Sequence, residues 1–152
     1  METLTYDITS VTDLAIAAEA LLNQAQTVAV EHPAVATVLA LSGDLGAGKT
    51  TLVQLLARVL GVTDTVTSPT FVVMKQYETT NDAFAELVHI DAYRIEDVDE
   101  MRPLGFTTVL ARPGTLICIE WAERIAPLLP PQTVSVTLVL NRDETRTLII
   151  NA

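Results

Sequence analysis

Residues 43–51 read Gly-Asp-Leu-Gly-Ala-Gly-Lys-Thr-Thr and satisfy every fixed position of G-x-x-x-x-G-K-[ST]. Such a stretch is built to hold phosphate. Gly43, Gly46 and Gly48 permit backbone conformations that a Cβ forbids. With Asp44, Leu45 and Ala47 between them, they let successive N–H groups converge on phosphate oxygens. Lys49 would reach the β- and γ-phosphates as a point charge. The Thr50 hydroxyl suits Mg²⁺, and Thr51 opens the following helix. The bland alternative is a glycine turn with Lys49 simply in solvent.

The flanks decide between the two. A phosphate loop must follow a strand and start a helix, so that the helix N-terminus faces the anion. Ala36–Ser42 is an apolar run of the buried-strand type. From Thr51 to Leu60, apolar residues at 52, 53, 55, 56, 59 and 60 recur at helical spacing, and Gly61 stands where a helix stops. Both flanks favour the phosphate loop.

Three further residues have suitable chemistry. Thr115–Glu120 is an apolar strand ending in an acid, the Walker B arrangement, with Glu120 where Asp is usual. Leu87–Asp91 is a second strand ending in an acid, interrupted by His89. Asp91 could instead cap a helix over Glu96–Met101 or pair with Arg94. If these strands run parallel to the one before the loop, both acids reach its edge, and the sequence does not divide the roles between them. Thr70, in Ser68-Pro69-Thr70-Phe71, could offer a hydroxyl or carbonyl to Mg²⁺ or to the attacking water, or be part of a plain turn. His89 reads as a structural histidine, since no Cys/His spacing suits zinc.

The remaining elements form an α/β pattern. Leu4, Tyr6 and Ile8 fall on one face of a short strand. Ser10 and Asp13 resemble a capping box before an alanine-rich helix over Val11–Gln24. Residues 25–35 read as a second helical or irregular piece broken by His32-Pro33. Antiparallel hairpins are expected at 71–91 and 133–150. An acidic helix with a solvated face falls between Ile95 and Leu110. The turn at Asn141–Glu144 carries no guanine-reading signature.

With 152 residues and 49% hydrophobic content, the chain suits one domain with a real core. A net charge of −10 argues against a direct grip on nucleic acid. The absence of a basic segment leading into an apolar one at the N-terminus, a lone cysteine at 118 and no membrane-length apolar run lead us to expect a cytoplasmic location.

Four stretches together, Gly43–Thr51, Ser68–Phe71, His89–Arg94 and Glu120-Trp121, resemble the TsaE (YjeE) family of bacterial P-loop ATPases in order and spacing. The resemblance covers nearly the whole chain. It implies the P-loop NTPase fold, a central mixed β-sheet flanked by helices, with residues 1–152 as a single P-loop ATPase domain. It also implies ATP and Mg²⁺ as ligands, and TsaD and TsaB as partners in threonylcarbamoyl transfer to tRNA, which is engaged only indirectly. Matched by motif, Thr50 and Glu120 would hold the metal and Lys49 the phosphates. Thr70 and Asp91 would support hydrolysis, with Glu120 also in the catalytic set. Trp121 would lie beside the nucleotide, and the helix start near Val11 would approach the adenine. A kinase for a small metabolite and a non-catalytic nucleotide switch are the competing readings. Seven scattered arginines and no evident lid count against the kinase. Arg94 is the candidate arginine finger in cis.

Overall fold

The computed structural model describes residues 2–44, 46–67 and 73–152. Leu45 and the Ser68–Phe71 motif, including Thr70, lie outside the described residues.

Seven strands make one sheet: β1 (Thr3–Ile8), β2 (Thr37–Gly43), β3 (Met74–Glu78), β4 (Glu86–Asp91), β5 (Thr115–Glu120), β6 (Val134–Leu140) and β7 (Arg146–Asn151). Their order is β1-β7-β6-β2-β5-β4-β3. Strands β4, β5, β2 and β6 run parallel, while β3, β7 and β1 add antiparallel edges. The two hairpins are therefore β3–β4 and β6–β7, as expected.

Burial explains the strand sequences. Helices α1 (Val11–Glu31) and α2 (Lys49–Val59) cover one face, meeting Leu39, Leu41, Leu87, Leu116 and Cys118. The other face of β2, β4 and β5 packs Val38, Ala40, Val88, Ile90, Ile117 and Ile119 against Phe106 and Val109 of α3 (Phe106–Leu110) and against Met101 and Ile125. Strands covered on both faces read as continuous apolar runs. β6 is covered on one face, so Val134, Val136 and Leu138 alternate with more exposed Ser135, Thr137 and Val139.

The structure revises several elements. α1 is one helix of 21 residues, not a helix to Gln24 and a separate piece. Residues 25–31 contain no breaker. The first is Pro33, which disfavours helical backbone at His32, the observed C-cap. The capping box is half formed. Ser10 Oγ accepts from Asp13 N–H, but the Asp13 carboxylate accepts from Thr9 N–H and Oγ1 instead of Ser10. Those bonds hold the Asp13 carboxyl below its usual range. The acidic helix shrinks to a 3₁₀ turn over Val98–Met101, capped by Asp97, whose own N–H donates in return to the Glu100 carboxylate. Asp91 is thus not its cap. Neither α3 nor the 3₁₀ segment Ala122–Leu128 was expected, since both are too short to show a periodic pattern.

Candidate active site

β2 ends at Gly43, and α2 begins at Lys49 with Gly48 as its N-cap in the left-handed region. The loop between them lies at the carboxyl ends of the parallel strands, the usual ligand edge of an open α/β sheet. The Lys49 side chain folds over it. Its Nζ donates to the Gly43 carbonyl at 2.7 Å and the Asp44 carbonyl at 3.0 Å. It also lies 4.5 Å from the centroid of the Trp121 ring. The ammonium is therefore buried against the loop, not turned to solvent, although its covalent reach keeps it beside any phosphate held there.

The acids come from the neighbouring strands. Parallel pairing places Leu41 beside Glu120 and Glu120 beside Asp91. Period-two alternation puts Leu87, His89 and Asp91 on the α2 face, together with Cys118 and Glu120. Thr50 Oγ1, in the first turn of α2, meets both Glu120 oxygens, at 2.9 and 3.0 Å. The Glu120 carboxylate is buried, and its Oε2 also lies 2.5 Å from His89 Nε2. Asp91, also buried, accepts from Tyr93 N–H at 3.0 Å. Burial raises the Cys118 thiol well above its usual range, and the nearby Glu120 charge adds to this.

Trp121 follows directly with a φ of 57°, unusual for a residue with a side chain. This local backbone turns its ring toward the loop, where it meets Tyr93 at 5.0 Å between centroids. Val11, at the start of α1, is exposed at the same opening.

These groups surround a cavity of about 690 Å³, lined among others by Ser10, Val11, Gly46, Gly48, Lys49, Thr50, Thr51, Asp91, Glu120 and Trp121. The two strand-end acids, the loop, Trp121 and Val11 therefore meet in one place. Of the other expected loop residues, Gly43 and Asp44 face Lys49 through their carbonyls, and Ala47 is buried behind the turn, its N–H bonded to the Asp44 carbonyl. A second cavity of about 740 Å³ opens at the opposite sheet end, near Thr37, Asn81 and Gly114. Asp82 is the one ionisable side chain lining it, so it lacks the groups for phosphate chemistry.

Arg146 was not anticipated. It sits at the start of β7, donates from Nη2 to the Gly46 carbonyl at 3.2 Å, and lines the loop cavity. Its buried Nε has no hydrogen-bond partner among the described residues. Arg94, the expected candidate, is exposed and absent from that lining. No local signal marks Arg146, because a hundred residues separate it from the glycine it touches.

The Thr50–Glu120 pair fits a hard divalent cation. Thr50 has one hydroxyl proton and directs it at Glu120, which leaves its oxygen lone pairs for a metal. Mg²⁺ is commonly held by one or two protein oxygens plus substrate phosphates rather than by an all-protein cage. Among the described residues there is no group of three or more His, Cys, Asp or Glu side chains placed to hold a metal ion.

Known proteins resemble this chain in sequence and in fold. The family model described as "Threonylcarbamoyl adenosine biosynthesis protein TsaE" matches residues 9–148. The tRNA threonylcarbamoyladenosine biosynthesis protein TsaE of Bacillus subtilis (strain 168) is 39% identical over 115 residues, 76% of this chain and 69% of that protein. The Treponema pallidum (strain Nichols) protein of the same name is 36% identical, over 75% of this chain and 81% of its own. The crystal structure of Bacillus subtilis YdiB superposes with a TM-score of 0.70 at 25% identity, covering 99% of this chain and 86% of that one. The fold is that of the P-loop NTPases, and the chain belongs to the TsaE family of tRNA threonylcarbamoyladenosine biosynthesis proteins.

Proposed function

We propose that this chain binds ATP with Mg²⁺ and hydrolyses it slowly, acting on TsaD and TsaB as they transfer threonylcarbamoyl to the adenosine beside the anticodon of tRNA. The observation that carries the reading is the Thr50–Glu120 contact at the mouth of a phosphate loop. In phosphoryl transfer the protein mainly positions groups and stabilises charge. Thr50 and Glu120 would hold Mg²⁺, which when bound supplies charge neutralisation at the β- and γ-oxygens. Lys49 exchanges the Gly43 and Asp44 carbonyls for phosphate oxygens. Gly46 and Gly48 present backbone N–H groups, and Trp121 and Val11 wall the nucleoside. Asp91, at the tip of β4, or Thr70 would orient the attacking water. Arg146 brings positive charge to the loop in cis, and a further group from the partner would explain slow turnover alone.

Calorimetry of ATP binding with and without Mg²⁺ tests the site. The parent should bind more tightly with Mg²⁺, and Glu120→Gln should lose that difference. A normal Mg²⁺ response in Glu120→Gln would remove Glu120 from the metal site. Phosphate release without an added acceptor separates hydrolysis from a kinase. Pull-down of TsaD and TsaB with and without ATP tests the partners, and capture in neither condition would refute that part.

A further inference from the structure

The imidazole behind Glu120 has no role in the reading above. His89 lies in the middle of β4, fully buried between Val88 and Ile90. It interrupts a run that would otherwise be apolar. β4 and β5 are parallel, with His89 opposite Cys118 and Asp91 opposite Glu120. His89 is therefore one step behind Glu120 on the same face, and its ring reaches diagonally forward to it. Nε2 comes within 2.5 Å of Glu120 Oε2, while Nδ1 has no hydrogen-bond partner among the described residues.

The direction of the hydrogen bond follows from this geometry. A carboxylate that holds a cation only accepts hydrogen bonds, so the donor in this contact is the His89 Nε2–H. The opposite tautomer would bury an unmet N–H donor and leave Oε2 facing a lone pair, which is worse on both counts. A side chain placed for packing alone would be better as leucine here. This one leaves half of its polar capacity unmet and aims the other half at Glu120. Thr50 meets the carboxylate at both oxygens, and His89 holds it at Oε2.

We propose that His89 is a positioning residue: its Nε2–H fixes the rotation of the Glu120 carboxylate so that the acid faces Thr50 and the cation the two would share. The inference rests on the reading of Glu120 as a metal-binding carboxylate. Groups that orient ligating carboxylates commonly matter by about 10- to 100-fold in metal affinity.

The test is a Mg²⁺ titration of AMP-PNP binding, read by the fluorescence of Trp121, the chain's one tryptophan. His89→Leu should raise the Mg²⁺ concentration for half-maximal tightening about tenfold or more. Its affinity for AMP-PNP without metal should stay within about twofold of the parent, a split that a general packing defect would not produce. His89→Gln, whose amide reaches the Nε2 position, should recover most of the loss. His89→Asn, whose amide stops at the Nδ1 position, should not. An unchanged Mg²⁺ midpoint in His89→Leu overturns the proposal, as does an equal loss of metal-free affinity. If His89→Leu does not fold, equal midpoints in the Gln and Asn variants overturn it. Glu120→Gln in the same titration separates the two readings. If it keeps a normal Mg²⁺ response, the metal role of Glu120 fails. If it loses the response while His89→Leu keeps it, the positioning role alone fails.

Discussion

Gly43→Ala should unfold this protein more readily than any mild substitution in the loop would suggest. A Cβ on Gly43 would lie 2.2 Å from the Leu138 carbonyl oxygen and 3.1 Å from its carbon. Gly43 and Leu138 are register partners where β2 leaves β6, so the obstacle is backbone and cannot rotate away. The strands would have to part by about 1 Å to restore ordinary contact, an overpacking cost of about 1–3 kcal/mol. Gly43 also has φ near 139°, which costs a side-chain-bearing residue about 1–3 kcal/mol more. The combined loss is about 4 kcal/mol, or a fall in Tm of roughly 8–16 °C at this chain length. Gly105→Ala is the control. Gly105 has a φ of 75° with nothing within 4 Å of the built Cβ, so only the backbone term of about 1–2 kcal/mol applies. Scanning calorimetry of both variants reads the difference. A Gly43→Ala melting point within about 2 °C of the parent, or a fall no larger than that of Gly105→Ala, would refute the close-approach argument.

Lys49→Ala should weaken ATP binding by about 3 kcal/mol or more, over a hundredfold, and unchanged affinity by calorimetry would count against the loop. Arg146→Ala should cost ATP roughly tenfold in affinity through a lost charged contact, and Arg146→Lys should not restore it, because lysine lacks the planar fork whose Nη2 holds the Gly46 carbonyl while its other N–H groups stay available to a phosphate. Cys118 should resist Ellman's reagent in the folded protein and react only on unfolding, because burial keeps its thiol protonated. Stoichiometric labelling within minutes under native conditions would contradict its place beneath α2.

What could be read from the sequence was local. The loop, its preceding strand and its following helix lie within about 25 consecutive residues, and their patterns reinforce one another. The apolar runs ending in Asp91 and Glu120 were visible for the same reason. Their convergence was conditional on parallel strands, and the β2–β5 and β5–β4 registers supply that condition. The His89–Glu120 contact was hidden because it depends on a diagonal step between strands 31 residues apart. Arg146 was hidden because its partner belongs to the other end of the chain. The full length of α1 shows only in the structure, where the helix continues through residues 25–31 up to His32, the residue that Pro33 constrains.

The outermost strand has a bearing on biosynthesis. Among the described residues β1 pairs with β7 alone, and Ile8 lies opposite Arg146 in that ladder. A ribosome releases residues 3–8 long before it makes 146–151, so the first strand must wait, unladdered, through most of translation. Until then the nascent chain has its glycine loop, its lysine and both acids, but lacks the wall formed where Ile8 meets Arg146. Tight capture of nucleotide would thus mark a chain whose last strand has docked, and such late, long-range pairing is the kind of contact that slows folding.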